Sequence, residues 1–207
     1  MGKIHIGVLA SGRGSNLQSI IDASERGELD AEVMVVISNN SKAYALERAR
    51  NHNIPAIHLS HKQFETPQEF DDALLKTLGK FEVELVILAG YMKLLSPRVV
   101  RAYRHRILNI HPALLPSFGG KGMYGIHVHE AVIESGAKIS GVTVHIVDEQ
   151  YDHGPIVLQK PVAVRDDDTP ETLAARILPE EHASYPKAIQ LFAEGRIRVE
   201  GRRVFTT

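Results

Sequence analysis

The feature that most constrains the fold is a regular alternation between short apolar runs and segments with helical periodicity. The runs are too short for buried helices and suit buried strands, whereas the segments between them repeat apolar residues at helical spacing. The runs lie at residues 4–10, 33–38, 56–59, 85–89 and 107–111. This alternation predicts an α/β, doubly wound, Rossmann-like fold with a mostly parallel sheet and helices on both faces.

Several helix starts carry local signals. Ser15 followed by Gln18 predicts a capping box and a helix that begins at Ser15. Thr66 and Thr169 each precede a proline, which predicts a cap followed by a first-turn proline. The helix after Thr169 contains Pro179, which is predicted to end or kink it.

The end of the fifth run is a candidate site. Pro112 stops the strand, so Asn109 and His111 fall at its carboxyl end, where ligands bind in doubly wound sheets. Because positions i and i+2 of a strand point to one side, both side chains should project together. Such a pair could bind a developing oxyanion and move a proton, although backbone groups could also satisfy both.

The first strand is followed by a glycine-rich turn and a helix. This geometry aims backbone N–H groups at an anion, and a single phosphate on Gly14, Ser15 and Asn16 fits it, the alternative being a plain tight turn. A dinucleotide site is a weaker interpretation, because Leu17 stands where a third glycine is needed and the second strand ends without an acid.

An acidic loop offers partners for His111. Asp148, Glu149 and Asp152 all lie in it, and a carboxylate beside an imidazole would raise the pKa of that imidazole. The pattern alone favours none of the three.

Composition excludes several classes of function. The formal net charge is -1, so no strong field attracts nucleic acid or a membrane surface. Without cysteine there can be no disulfide, zinc–thiolate site or cysteine nucleophile, and the histidines form no HExxH pattern, so we expect no metal site. With no signal-peptide pattern and no membrane-length apolar run, a cytoplasmic location is expected.

Two motifs carry a resemblance to a known family that covers essentially the whole chain. The segments 109–112 (Asn-Ile-His-Pro) and 152–156 (Asp-x-Gly-Pro-Ile) resemble the folate-dependent formyltransferases. The loop 11–17 (Ser-Gly-Arg-Gly-Ser-Asn-Leu) is similar to one branch, the phosphoribosylglycinamide formyltransferases of de novo purine (IMP) biosynthesis. The resemblance implies transfer of the formyl group of 10-formyltetrahydrofolate to the amine of 5'-phosphoribosylglycinamide, which gives formylglycinamide ribonucleotide without a metal.

The same resemblance implies roles for individual residues. It implies that Asn109, His111 and Asp152 are catalytic and that Gly14, Ser15 and Asn16 hold the substrate phosphate. It implies a ribonucleotide contact at Glu181 and a cis peptide between Leu115 and Pro116. The implied folate-binding residues are Met92, Lys93, Leu94, Leu95, Asn109 and Val147.

The expected organisation is a single formyltransferase domain over residues 1–207. Residues 1–100 would form the phosphate-binding half and residues 101–207 the catalytic and folate-binding half. The expected partners are small molecules, with a monomer or homodimer and neither nucleic acid nor membrane.

Three alternatives remain open. A formyltetrahydrofolate hydrolase would use the same catalytic residues on water but normally has an added amino-terminal domain. A methionyl-tRNA formyltransferase would need an added tRNA-binding domain and basic charge. A nucleotide-sensing module would explain the glycine-rich loop but would leave Asn109, His111 and Asp152 unexplained.

Overall fold

The computed structural model describes residues 2–207, and in this range seven strands form one sheet in the order β3-β2-β1-β4-β5-β6-β7. Strands β1 to β5 are parallel, whereas β6 runs antiparallel to β5 and β7 antiparallel to β6. The predicted mostly parallel sheet is therefore confirmed. The strands are β1 Ile4–Ala10, β2 Ala31–Ser38, β3 Ala56–His58, β4 Leu85–Leu88, β5 Ile107–His111, β6 Ile139–Ile146 and β7 Ile156–Ala163.

Helices cover both faces of this sheet. Residues of α1, α2 and α6 join the core on one face, and residues of α3 and α4 join the core on the other. Alternation along β1 shows the division, since Ile6 and Val8 belong to the first core and Leu9 to the second. The helices are α1 Ser15–Glu25, α2 Tyr44–Asn51, α3 Pro67–Lys80, α4 Pro97–Ala102, α5 Ile126–Glu134 and α6 Pro170–Ala193.

The start of α1 differs from the prediction in its cap. The helix begins at Ser15 as expected, but its cap is Gly14 in the left-handed region, with φ of 71° and no side-chain cap. The predicted Ser15 capping box is wrong. The chain needs glycine before the helix because a Cβ at Gly14 would lie 2.8 Å from Cβ of Ala45 in α2.

The other helix signals give mixed outcomes. Thr66 caps α3 as predicted, with its hydroxyl accepting from the Glu69 N–H at 3.2 Å. Pro179 does not end α6, which continues to Ala193. Proline removes the hydrogen bond to the carbonyl four residues earlier, and Ala175 at that position is exposed, so water can replace the missing donor.

A short hairpin follows α6. Strands β8, Ile197–Glu200, and β9, Arg203–Thr206, pair antiparallel in a separate two-stranded sheet. The cis peptide expected between Leu115 and Pro116 is also confirmed. No helix among residues 2–207 is both long enough and apolar enough to cross a membrane.

Candidate active site

The carboxyl end of β5 brings Asn109 and His111 to the same carboxylate. Asn109 Nδ2 lies 3.4 Å from Asp152 Oδ1, and His111 Nδ1 lies 3.7 Å from Asp152 Oδ2. The two side chains therefore project to one side of the strand, as the i, i+2 spacing predicts. His111 is 3% exposed, so its electrostatic environment is set by protein groups.

The structure distinguishes the three acids of the loop. Asp152 faces His111 and accepts from the Gly120 N–H at 2.9 Å. Asp148 instead contacts His153, and Glu149 pairs with Arg101 at 3.1 Å. Only Asp152 of the three has its carboxylate at the end of β5.

Asp152 keeps its charge although it is largely buried. Burial alone would raise the pKa of Asp152, but the neighbouring imidazoles of His145 and His111 and the Gly120 N–H together lower it. The carboxylate is thus ionised at neutral pH and available to stabilise a positive charge on a neighbouring imidazole.

The expected rise in the pKa of His111 does not occur. Burial is the largest influence and lowers the pKa, and the opposing effects of Asp152 and the Phe118 carbonyl do not overcome it. That prediction is wrong in its net direction, because it considered the carboxylate without the burial. His111 is therefore neutral at pH 7. Its Nε2 lies 2.8 Å from the Phe118 carbonyl, which can only accept, so the proton is on Nε2 and Nδ1 is free to take another.

His145 was missed by the sequence analysis. It pairs across β5 and β6 with Asn109, and its Nε2 lies 3.1 Å from Asn109 Nδ2 and 3.6 Å from Asp152 Oδ1. The contact depends on the antiparallel register, which the sequence does not specify. The available signal was a histidine among apolar residues near the end of β6.

The glycine-rich turn presents free donors. Within residues 2–207, the backbone N–H groups of Gly14, Ser15 and Asn16 donate to no protein atom. The Asn16 side chain donates to Glu181 Oε2 at 2.7 Å, and burial raises the pKa of Glu181. The structure thus brings the loop and Glu181 together, although they are far apart in sequence.

An apolar wall follows β4, the strand that lies between β1 and β5 in the sheet. Met92 is 51% exposed and Leu94 is 43% exposed, although both are large and apolar. Ser11 fixes the turn before them, since its hydroxyl accepts from the Met92 N–H at 2.8 Å and donates to Asn39 at 2.6 Å. Neither Ser11 nor Asn39 was among the predicted site residues.

One cleft connects the end of β5, the glycine-rich turn and the apolar wall. Its volume of about 850 Å³ is within the usual range for small-molecule sites. Gly14 and Ser15 lie beside the cleft and do not line it. Among residues 2–207, no group of three or more His, Cys, Asp or Glu side chains could hold a metal ion. The predicted residues that line the cleft are Asn16, Met92, Lys93, Leu94, Leu95, Asn109, His111, Val147, Asp152 and Glu181.

Comparison with known proteins agrees with this architecture. Residues 4–189 match the family model described as Formyl transferase. The chain belongs to the formyl transferase family. A phosphoribosylglycinamide formyltransferase of Haemophilus influenzae is 42% identical over 94% of this chain and 90% of its own length.

Further formyl transferase relatives differ in length. The chloroplastic phosphoribosylglycinamide formyltransferase of Vigna unguiculata is 48% identical over 93% of this chain, which spans only 62% of that relative. The crystal structure of glycinamide ribonucleotide transformylase 1 from Symbiobacterium toebii superimposes with a TM-score of 0.93 at 47% identity, covering 99% of this chain and 94% of that one. The resemblance to formyltransferases inferred from the motifs is confirmed.

Proposed function

We propose that this chain transfers the formyl group of 10-formyltetrahydrofolate to the amine of 5'-phosphoribosylglycinamide, giving formylglycinamide ribonucleotide for purine biosynthesis. The observation that carries the proposal is one cleft lined by Asn109, His111 and Asp152, by Asn16 of the loop with free N–H donors, and by an apolar wall. The names of the relatives, which include phosphoribosylglycinamide formyltransferases, support this substrate pair.

The glycine-rich loop suits the phosphate end of the ribonucleotide. Three consecutive N–H groups at the start of α1 are free, and the positive end of the helix dipole favours an anion there. Glu181 lies on the same side of the cleft and can accept hydrogen bonds from the hydroxyl and amine groups of the ribonucleotide.

The apolar wall suits the ring system of a folate. Exposed apolar side chains at Met92 and Leu94, next to buried Leu95, leave apolar surface in water that a flat ring would cover. Val147 completes this wall, and Asn109 provides an amide where the wall meets β5. When bound, 10-formyltetrahydrofolate supplies the formyl group on its N10 atom.

The residues at the end of β5 can then support the transfer. The reaction forms a C–N bond to the substrate amine, breaks the C–N10 bond and moves one proton from the first nitrogen to the second. Asn109 Nδ2 can donate to the formyl oxygen as that oxygen gains negative charge. Neutral His111 can take the proton of the attacking amine at Nδ1, and ionised Asp152 stabilises the imidazolium until the proton passes to N10.

The test is to incubate the chain with both substrates and to follow formylated ribonucleotide by mass spectrometry together with release of tetrahydrofolate. We expect equal amounts of the two products and negligible turnover when the ribonucleotide is left out. Release of formate at the same rate without the ribonucleotide would replace this proposal with the hydrolase alternative. Absence of both reactions would refute catalysis of either kind.

A further inference from the structure

The hairpin of β8 and β9 reaches the loop that carries Asp152. Arg202, in the turn of the hairpin, donates from Nη2 to the carbonyl oxygen of His153 at 2.7 Å. Its Nη1 contacts the ring nitrogen Nε2 of the same histidine. One guanidinium thus binds both the backbone and the side chain of the residue directly after Asp152.

The hydrogen-bond chemistry fixes the state of His153. Arginine can only donate, so Nε2 of His153 must accept and Nδ1 must carry the ring proton. Nδ1 then donates to Asp148 Oδ2 at 2.6 Å, and Asp148 Oδ1 accepts from the Gln150 N–H at 2.9 Å. We call Arg202, His153 and Asp148 the hairpin clamp. It connects the hairpin to both ends of the turn around Asp152.

The turn around Asp152 needs such support. Asp152 has φ of 51°, which is unfavourable for a residue with a side chain. Gly154 is also constrained, because a Cβ there would lie 1.8 Å from the Ile146 carbonyl oxygen. A turn held in unfavourable backbone conformations persists only where surrounding contacts enforce it, and the hairpin clamp supplies contacts from outside the loop.

We propose that Arg202 is a positioning residue that acts through His153 to hold Asp152 at its distance from His111. The kinetic part of this inference rests on the proposed function, but the positioning itself does not. Arg203 is the matched control, because it is an exposed arginine of the same hairpin whose guanidinium lies over the Phe205 ring. No hydrogen bond from its side chain to the loop is present within residues 2–207.

The first experiment is independent of activity. His111 is titrated by NMR in the wild-type chain, in Arg202→Met and in Arg203→Met. Besides burial, the groups that act on the pKa of His111 are Asp152, the Phe118 carbonyl and His145, and His111 in turn lowers the pKa of His129. Arg202→Met should lower the apparent pKa of His111 because the Asp152 carboxylate moves away, whereas Arg203→Met should leave it unchanged. An unchanged His111 titration in Arg202→Met would overturn the inference even if the wild-type chain proved inactive.

The second experiment uses formyl transfer. We expect Arg202→Met to lower kcat on the order of tenfold, because Asp152 would be displaced from His111. KM for the ribonucleotide should be unchanged. Arg202→Lys should recover part of the loss, since lysine can still donate to the His153 carbonyl. In an Asp152→Asn background, Arg202→Met should cause no further loss. An equal loss in that background would show that Arg202 acts through something other than Asp152. An inactive wild-type chain would contradict the proposed function alone.

Discussion

At the scale of single residues, one carboxylate faces two histidines. Asp152 Oδ2 lies 3.7 Å from His111 Nδ1, and Asp152 Oδ1 lies 3.6 Å from His145 Nε2. Because burial makes His111 neutral at rest, the carboxylate matters most when a proton arrives on the ring. The Asp152 carboxylate therefore stabilises the site more when His111 is protonated than when His111 is neutral.

Asp152→Asn should reduce turnover on the order of 10²–10³-fold while the dissociation constants of both substrates change little. The variant keeps the size of the side chain and removes the charge that stabilises protonated His111. Asp148→Asn, in the same loop, should cost much less because Asp148 contacts His153 and the Gln150 N–H and does not contact His111. Turnover and ligand binding are measured for both variants. Near-normal turnover in Asp152→Asn would contradict this role.

Glu181→Gln should stabilise the free chain at neutral pH. Burial raises the pKa of Glu181, so the folded state holds its proton more tightly than the unfolded state. Stability from this group is present below its ordinary pKa and is lost as pH rises through the raised value. Thermal unfolding of the two proteins should therefore differ more at pH 8 than at pH 4.5, with the variant higher at pH 8. A lower midpoint for the variant at pH 8 would show that the charged form is favoured in the fold.

At the scale of secondary-structure elements, α2 holds the glycine-rich turn in place. The Ala45 N–H donates to the Gly12 carbonyl at 3.1 Å, and Arg48 Nε donates to the Arg13 carbonyl at 2.9 Å. Arg48 also donates to Gln18 in α1 at 2.9 Å. The turn that presents the free N–H groups is thus fixed by the neighbouring helix.

Arg48→Met should raise KM for the ribonucleotide several-fold and leave KM for the folate nearly unchanged. The substitution keeps an unbranched apolar side chain but removes both hydrogen bonds to the turn and to α1, each worth about 1 kcal/mol. Arg50→Met is the control, because Arg50 is exposed on the same helix and its side chain makes no hydrogen bond within residues 2–207. Steady-state kinetics with each substrate varied in turn measure the effect. Equal rises in both KM values would indicate a general disturbance of the fold.

The elements also show which features a sequence can predict. The alternation of strands and helices and the Thr66 cap follow from local patterns, and all of them are present in the structure. The cap at Gly14 and the role of His145 depend on contacts with α2 and β6, which a local pattern does not contain. Likewise, the lowered pKa of His111 reflects burial by the complete fold, so the motif alone gave the wrong sign.

At the scale of the whole molecule, the two proposed halves of the chain share one sheet, and the long helix α6 contacts strands of both. Strand β4 of the first half pairs with β5 of the second. Tyr185 of α6 lies fully buried, with its hydroxyl 3.0 Å from the carbonyls of both Leu88 and Leu108, one in each half. These contacts make separate unfolding of either half unfavourable.

Thermal unfolding should therefore show one transition with coincident midpoints by far-ultraviolet circular dichroism and tyrosine fluorescence. Tyr185→Phe should lower stability by about 1–3 kcal/mol, because two buried carbonyls lose the one hydroxyl proton that they share, and should leave a single transition. Two separated midpoints in the wild-type chain would show that the halves are independent domains.

The apolar wall also makes the site sensitive to methionine oxidation. The chain has four methionines and no cysteine, and two of the methionines, Met92 and Met123, line the cleft. The only sulfur at the site is therefore in thioethers, which thiol-directed reagents do not modify. Conversion of exposed Met92 to its sulfoxide would make part of the wall polar, so oxidative damage would weaken binding of the proposed folate ring while leaving His111 and Asp152 chemically unchanged.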